Sequence, residues 1–449
     1  VNRVVVVGAG PAGMAAARAA AATGVEVVLV DSAQGLGGQY HRRAPESLGG
    51  NEIPPIPGVR HLAATTVWAL EPVPGGHRLH LRTGPADAPG RQATVLDTAA
   101  LVLATGAYDR ALPFPGWDLP GVFTAGAAQA LAKGQKVAVG SRVLLAGTGP
   151  FLLPVAESLI GVGARVLGVL EANIPVGGWL RDPLALLAGR AKAAELARYV
   201  TMLARHRVPF RPRTTVIAAH GTDRVTEVTT ARLTADWRVR PGSERRVPVD
   251  AVCVGFGFTP QLELAVAAGC RLAGEFVEVN EAQATSVAGV FAAGEITGIG
   301  GADLSEAEGV LAGLAAARLL GGQGETPRRA IAAVRAGRRF AAALDRAHPV
   351  RAGWQSWLAE DTLICRCEEV DYGALCRAVR DRDAIGVRSL KLVSRVGLGA
   401  CQGRTCGRNA ADLVGGLDPA GLARRPIAAP VRLGELATTP VHPNERDTS

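Results

Sequence analysis

Gly8-Ala9-Gly10-Pro11-Ala12-Gly13 directly follows the run Asn2-Arg3-Val4-Val5-Val6-Val7, and no feature of the chain restricts its fold more. Four valines without polar alternation predict a strand buried on both faces of a parallel sheet. The Ala-rich stretch 12–23 predicts a helix, and 25–30 predicts a second buried strand ending at Asp31. Strand, glycine turn, helix, strand and acid make up a dinucleotide-binding βαβ unit. Gly8 makes the tight turn, and Gly10 leaves room for a pyrophosphate against the backbone. Pro11 and Ala12 open the helix, and Gly13 lets it pack on the sheet. The helix N-terminus offers free N–H groups and partial positive charge to phosphates. Asp31 is placed to bond ribose hydroxyls and disfavours a 2′-phosphate. Arg3 and the apolar stretch after it superficially resemble a secretory signal, but the order of β-branched run and glycine turn argues against one. The plainer alternative is a glycine-rich turn that binds nothing.

A second unit of this kind starts near residue 142. Residues 142–146 predict a strand, followed by Gly147-Thr148-Gly149-Pro150-Phe151-Leu152, a helix, and strand 165–170 ending at Glu171. Leu152 replaces the third glycine, and Pro154 falls in the first helical turn, where proline is tolerated. Gly147, Gly149 and Glu171 are candidates for binding NAD or ATP. Equally, this unit keeps the fold and has lost the ligand.

The chain has 449 residues, enough for two to four domains. It is 48% apolar and 20% charged, so it can bury large cores. Aromatics are only 4%, so those cores must be built from Ala, Val and Leu. No run of eighteen uncharged apolar residues suggests a membrane span. The net charge is +9, with only four Lys among 49 basic residues. The arginines are scattered, so no nucleic-acid partner is expected.

Further apolar strands end in glycine at Ala99–Gly106, Ala251–Gly257 and Val290–Gly294. The third is followed by Glu295 and a predicted helix over 305–320. A Gly-acid pair at a strand end suits the middle of a long cofactor. There the Glu295 carboxylate bonds a ribityl hydroxyl, and the helix N-terminus faces a flavin ring edge.

Four of the seven cysteines lie within 365–406, as Cys365-Arg366-Cys367 and Cys401-Gln402-Gly403-Arg404-Thr405-Cys406. Structural zinc sites usually take cysteine pairs two to four residues apart. Cys-x-Cys is tighter and suits two thiolates on one iron of a binuclear cluster. Zinc remains the rival. Arg366, Arg395 and Arg404 are candidates to offset the thiolate charge, and Gly397, Gly399 and Gly403 to let the loop wrap closely. Cys376, in a predicted helix 372–381, reads as a packed or spare thiol. Cys253 and Cys270 match no redox pair, which speaks against disulfide reduction.

The motifs Gly8–Gly13 with Asp31, Gly37-Gly38-Gln39, Ala104-Thr105-Gly106, Gly147-Thr148-Gly149 and Ala293-Gly294-Glu295 resemble the thioredoxin-reductase-like, or pyridine-nucleotide-disulfide-oxidoreductase, superfamily. The resemblance implies an α/β fold with two Rossmann-like dinucleotide-binding domains. A split FAD domain over 1–110 and 247–325 would enclose a second nucleotide domain over 111–246. It also adds Gly38, Gln39, Thr105 and Gly106 to the FAD-binding set of Gly8, Gly10, Pro11, Ala12, Gly13, Asp31, Gly294 and Glu295.

The segments 104–110, 114–117, 119–122 and 293–301 are similar to the α-type subunits of heteromeric amine and amino-acid dehydrogenases, a group spanning opine oxidase, hydrogen cyanide synthase and hydroxyproline dehydrogenase. The cysteine pattern resembles the bacterioferritin-associated-ferredoxin-like (BFD-like) [2Fe-2S] module of those subunits. This implies a small [2Fe-2S] domain over 361–416 with Cys365, Cys367, Cys401 and Cys406 as ligands; the chain itself reads as a helical linker over 326–360 and a Pro-rich, Arg-rich tail over 417–449 with little periodicity. The resemblance further implies a partner: a flavin-dependent subunit that oxidises the amine or amino acid, with electrons relayed through this chain and an FMN at the subunit interface. No catalytic acid–base set is assigned to this chain. Some relatives hold NAD or ATP in place of FAD at the first site, and Asp31 does not distinguish these. The rival functions are a stand-alone NADH-dependent reductase feeding the cluster, and a scaffold subunit with a structural nucleotide. The expected location is cytoplasmic, with peripheral association on the inner membrane face through a partner or acceptor left open. Helix 327–345, basic at Arg328, Arg329, Arg335, Arg338 and Arg339, reads as a solvated helix or as a docking surface for an acidic partner. Among the eight His, only His41 is placed near a flavin.

Overall fold

The computed structural model describes residues 2–437 apart from 46, 48, 49, 87, 176–191, 385, 416, 417, 419, 420, 422 and 426. Two five-stranded parallel sheets organise it. The first runs Val290–Ala292, Ala100–Leu103, Arg3–Val7, Glu26–Val30, Val59–Leu62. Val4, Val5 and Val6 are fully buried, as a strand covered on both faces requires. The fingerprint helix Pro11–Ala21 follows the glycine turn. Helix Ala302–Leu319 lies across it, starting three residues before the expected position, with Gly301 as its N-cap. The two helix backbones nearly touch: a Cβ added at Gly309 would stand 2.1 Å from the Ala12 carbonyl oxygen, and one at Gly313 would stand 2.2 Å from that of Ala16. The antiparallel sheet Thr65–Val73, Gly76–Thr83, Gln92–Thr98 completes this layer structure.

The second sheet runs Phe210–Pro212, Arg165–Glu171, Arg142–Gly147, Ala251–Gly255, Val122–Thr124. Sequence reasoning ended this unit at 246 and assigned 247 onward to the first. Ala251–Gly255 instead pairs with Arg142–Gly147, so the second unit extends to Gly255. An apolar five-residue strand suits either parallel sheet, and only its neighbours decide between them. The antiparallel pair Ala107–Asp109 and Phe258–Pro260 then forms the double crossing between the units.

Residues 326–360, expected as a linker, are packed. Helix Arg328–Ala347 rests Ala330 and Val334 on Leu304, Ala307 and Leu311. Its Arg338 turns inward to Glu308, and Arg335 pairs with Glu281. The turn Ala352–Trp357 inserts Trp354 and Trp357 into the second unit's core, where Trp357 stacks on Trp237 with ring centroids 6.1 Å apart. Each buried indole contributes roughly 5 kcal/mol of transfer free energy, more than a loose connector would carry.

The C-terminal module joins strands Leu363–Cys365 and Val370–Asp371 to helices Tyr372–Arg382, Val387–Ser394 and Gly407–Val414. Its core holds Ile364, Leu375, Leu390 and Ala410. The tail is not featureless where it is described. Ala428 donates its N–H to the Trp68 carbonyl at 2.6 Å, and buried Glu435 pairs with Arg91 at 2.7 Å, both against the antiparallel sheet. No helix among the described residues is long and apolar enough to cross a membrane.

Candidate dinucleotide sites and cysteine centre

In the first unit the fingerprint turn closes tightly. A Cβ at Gly8 would stand 2.2 Å from the Ala104 carbonyl oxygen, and one at Gly13 1.7 Å from that of Gly8. At Gly10 the opposite holds: no heavy atom lies within 4 Å of the added Cβ. Gly10 caps helix Pro11–Ala21, so this open space faces the helix N-terminal N–H groups. Asp31 accepts from Ala9 N–H at 2.5 Å and Ala33 N–H at 2.6 Å. A carboxylate has about four acceptor positions, so two remain for ribose hydroxyls.

The Gly37-Gly38 turn crosses over this loop. Gly37 donates to the Ala9 carbonyl at 2.9 Å, and a Cβ at Gly38 would meet the Cα of Gly10 at 2.8 Å. Gln39 and Tyr40 beyond it are exposed. Thr105 donates its hydroxyl to the Gln261 carbonyl at 2.8 Å, and Gln261 N–H returns to the Gly106 carbonyl at 3.0 Å. Thr105 and Gly106 thus tie the first crossing to the second. Gly294 abuts Ala12, which brings Glu295 to the fingerprint helix. Burial pushes the Glu295 carboxyl up to about 7, against a hydrogen bond from Gly301 N–H. His41 stands 3.6 Å from Glu306 at the edge of this region.

Sequence reasoning missed Glu308. It is almost wholly buried and accepts from Gly294 N–H at 3.0 Å, from Thr297 Oγ1 at 2.8 Å and from Arg338 at 3.0 Å. It holds the Gly294–Glu295 turn in place. The available signal was an acid set among the apolar residues of a predicted helix.

The second unit repeats the turn and differs at the acid. Gly147 is pressed on the Gly255 carbonyl, and the space at Gly149 is open. Leu152, at the third-glycine position, is buried. Glu171 is only 1% exposed. It accepts from Thr148 Oγ1 at 2.6 Å, Asn173 N–H at 2.9 Å and Gly149 N–H at 2.9 Å, and His348 Nδ1 stands 3.3 Å from it.

The four C-terminal cysteines come together from two loops. Cys365 contacts Cys406, and Cys367 contacts Cys401, so the close pairs run across the loops, not within Cys-x-Cys. The Cys406 thiol and the N–H groups of Gly397, Glu368 and Cys367 hold the Cys365 thiol down at about 5 despite burial. The N–H groups of Thr405 and Gly403 point to Cys401. A Cβ at Gly399 would stand 2.2 Å from that of Cys367, so this loop does wrap closely. Cys365 and Cys406 are buried, and Cys367 is exposed. Among the described residues no group of three or more His, Cys, Asp or Glu is disposed to hold a metal ion; the thiols stand as two pairs.

The expected counter-charges are engaged elsewhere. Arg366 stacks on Trp117, Arg395 pairs with Glu368 at 2.6 Å, and Arg404 pairs with Glu263 at 2.7 Å. Lys391 and Arg425 carry fields that reach the thiols. Cys376 neighbours Tyr372 and lies outside the cluster of four. Cys253 and Cys270 sit in different cores, and burial pushes the Cys253 thiol up to about 12.

The module docks on and beside the double crossing, where Arg408 donates to the Phe258 carbonyl at 3.2 Å. Asn409 donates to the Ala111 carbonyl at 2.7 Å, Arg408 pairs with Glu275 at 2.6 Å, and Trp117 donates to the Leu363 carbonyl at 2.6 Å.

Fold and family define an FAD-dependent oxidoreductase built on two dinucleotide-type units. The chain belongs to the pyridine nucleotide-disulphide oxidoreductase family, whose pattern matches residues 2–337. It is 34% identical to the hydrogen cyanide synthase subunit HcnB of Pseudomonas aeruginosa, covering 90% of each chain. It is 33% identical to an opine oxidase subunit of Agrobacterium tumefaciens, over 97% of this chain and 92% of that one. Its fold is similar to that of L-proline dehydrogenase from P. horikoshii, with a TM-score of 0.66 at 19% identity, covering 97% of this chain and 80% of that one.

Proposed function

We propose that this chain is the electron-relay subunit of a heteromeric amine or amino-acid dehydrogenase, with FAD in the Gly8–Gly13 site and a [2Fe-2S] cluster on Cys365, Cys367, Cys401 and Cys406. The observation that carries it is the two cross-loop thiol pairs, Cys365 with Cys406 and Cys367 with Cys401, on loops tied to the junction between the dinucleotide-type units. Two pairs of thiols suit a binuclear core, which takes two protein ligands on each iron. The surrounding N–H groups suit sulfur acceptors, and Lys391 and Arg425 supply positive charge beside them. The relatives named as subunits of opine oxidase and of hydrogen cyanide synthase support a partner.

When bound, the flavin exchanges electron pairs and the cluster exchanges single electrons. The chain's own residues hold and orient. Asp31 offers its two remaining acceptor positions to ribose, and the open space at Gly10 admits a pyrophosphate. Glu308 fixes the turn that presents Glu295. Exposed Cys367 marks the edge of the thiol set that a second protein can approach. Substrate oxidation falls to a flavin-dependent amine or amino-acid oxidising subunit, with an FMN at the interface in this reading.

The test is anaerobic reduction of the purified chain, followed by its visible absorbance. Bleaching that requires both an amino-acid substrate and the partner subunit supports the relay. Equal bleaching without the partner refutes it.

A further inference from the structure

We infer that the second dinucleotide-type unit takes no pyridine nucleotide, because three of the chain's own donors and burial beside His348 leave Glu171 without the two acceptor positions that a ribose diol would need. The inference deepens the relay reading and rests on it for its consequence: electrons enter from a protein partner, not from NADH.

The two units differ at one carboxylate each. Asp31 receives two N–H donors and keeps two acceptor positions. Glu171 accepts three hydrogen bonds, from Thr148 Oγ1 and Asn173 N–H at one oxygen and from Gly149 N–H at the other, and His348 Nδ1 stands 3.3 Å from that second oxygen. With about four positions in all, at most one is left, and His348 stands over it, whereas a ribose diol needs two. Burial agrees, since Glu171 is 1% exposed whereas Asp31 is only partly covered. A dinucleotide entering here would have to displace protein donors from a buried carboxylate, and displacement of such a group is costly.

The closure is fastened from behind. Asn173 donates to Thr148 Oγ1 at 2.8 Å and to the Pro349 carbonyl at 3.0 Å, and it accepts from Trp237 Nε1 at 3.2 Å. Trp357 in turn donates to the Trp237 carbonyl at 2.9 Å. His348 closes helix Arg328–Ala347, and Arg338 of that helix pairs with Glu308 at the first site. One helix therefore ends on the acid of the second unit and leans on the FAD-side turn of the first. The acid that reads as a ribose ligand has become an anchor for this helix.

The experiment uses the full-length, cofactor-loaded chain under anaerobic conditions, with NADH and then NADPH added to millimolar concentration. Expected are no saturable heat of binding and no loss of flavin absorbance. Saturable one-to-one binding that disappears in Gly149→Val would overturn the inference. A second arm uses Glu171→Gln, which should lower Tm by several degrees and leave the response to NADH unchanged. An unaltered Tm together with weaker NADH binding would also overturn it. If the variant does not fold, the wild-type titration decides alone. Partner-driven reduction is read separately in the same preparation. Its failure, with NADH still inert, sinks the relay reading and leaves the closed site standing.

Discussion

Arg404 donates its Nε–H to the Tyr108 hydroxyl at 2.7 Å, joining the cysteine loop to the strand that carries the chain between the two dinucleotide-type units. The same guanidinium meets Glu263 at 2.7 Å, with both partners largely buried. Arg404 lies three residues from Cys401 and two from Cys406. The loop that carries the thiols is therefore anchored through Tyr108 of the double crossing and Glu263 just after it.

Replacing Arg404 with Ala leaves Glu263 buried without its cation, a change that costs roughly 3 kcal/mol. The expected outcome is a lower Tm and slower electron passage between flavin and cluster, measured by stopped-flow absorbance. An unchanged rate together with an unchanged Tm would show that the anchor does not matter.

Gly10 and Gly13 should fail in different ways. Gly10→Val adds bulk where no protein atom stands, so the apoprotein should lose only about 1 kcal/mol, a helix-cap effect, while FAD is no longer retained on gel filtration. Gly13→Ala puts a Cβ into the Gly8 carbonyl, so it should destabilise the apoprotein itself. Full FAD retention by Gly10→Val would place the cofactor elsewhere.

The purified chain should contain about two iron atoms and two acid-labile sulfides. Cys365→Ser and Cys406→Ser should lose both, whereas Cys376→Ser should keep them. One zinc and no iron in the metal analysis would disprove the cluster.

Glu295 supplies a pH signature. Its carboxyl is raised by burial to about 7, so folding favours the protonated form. Its stabilising contribution is complete below the ordinary carboxylate range and is lost as pH rises through about 7. FAD-free wild-type protein should therefore lose Tm relative to Glu295→Gln between about pH 5 and about pH 8. Parallel Tm curves across that range would rule out a Glu295 carboxyl raised by folding.

The parts that short-range physics controls could be read from the sequence alone. A β-branched run, a glycine turn and an acid at the next strand end sit within thirty-one residues. Steric rules for glycine and burial on both faces leave such a run few choices, and strands Arg3–Val7 and Glu26–Val30 appear within a residue of expectation. The four cysteines within 365–406 stood out in the sequence too, but their spacing did not show that Cys365 pairs with Cys406 and Cys367 with Cys401. Tertiary structure decided the rest, because it depends on which surfaces meet across long stretches of chain. The apolar strand Ala251–Gly255 suited either sheet until Arg142–Gly147 paired with it. Glu308 carried no motif, and its role appeared only when Gly294 and Arg338 closed on it. The two acids at the strand ends read alike in sequence. Asp31 keeps two acceptor positions, whereas Glu171 takes three local donors and is covered by His348, brought in by a helix from far along the chain.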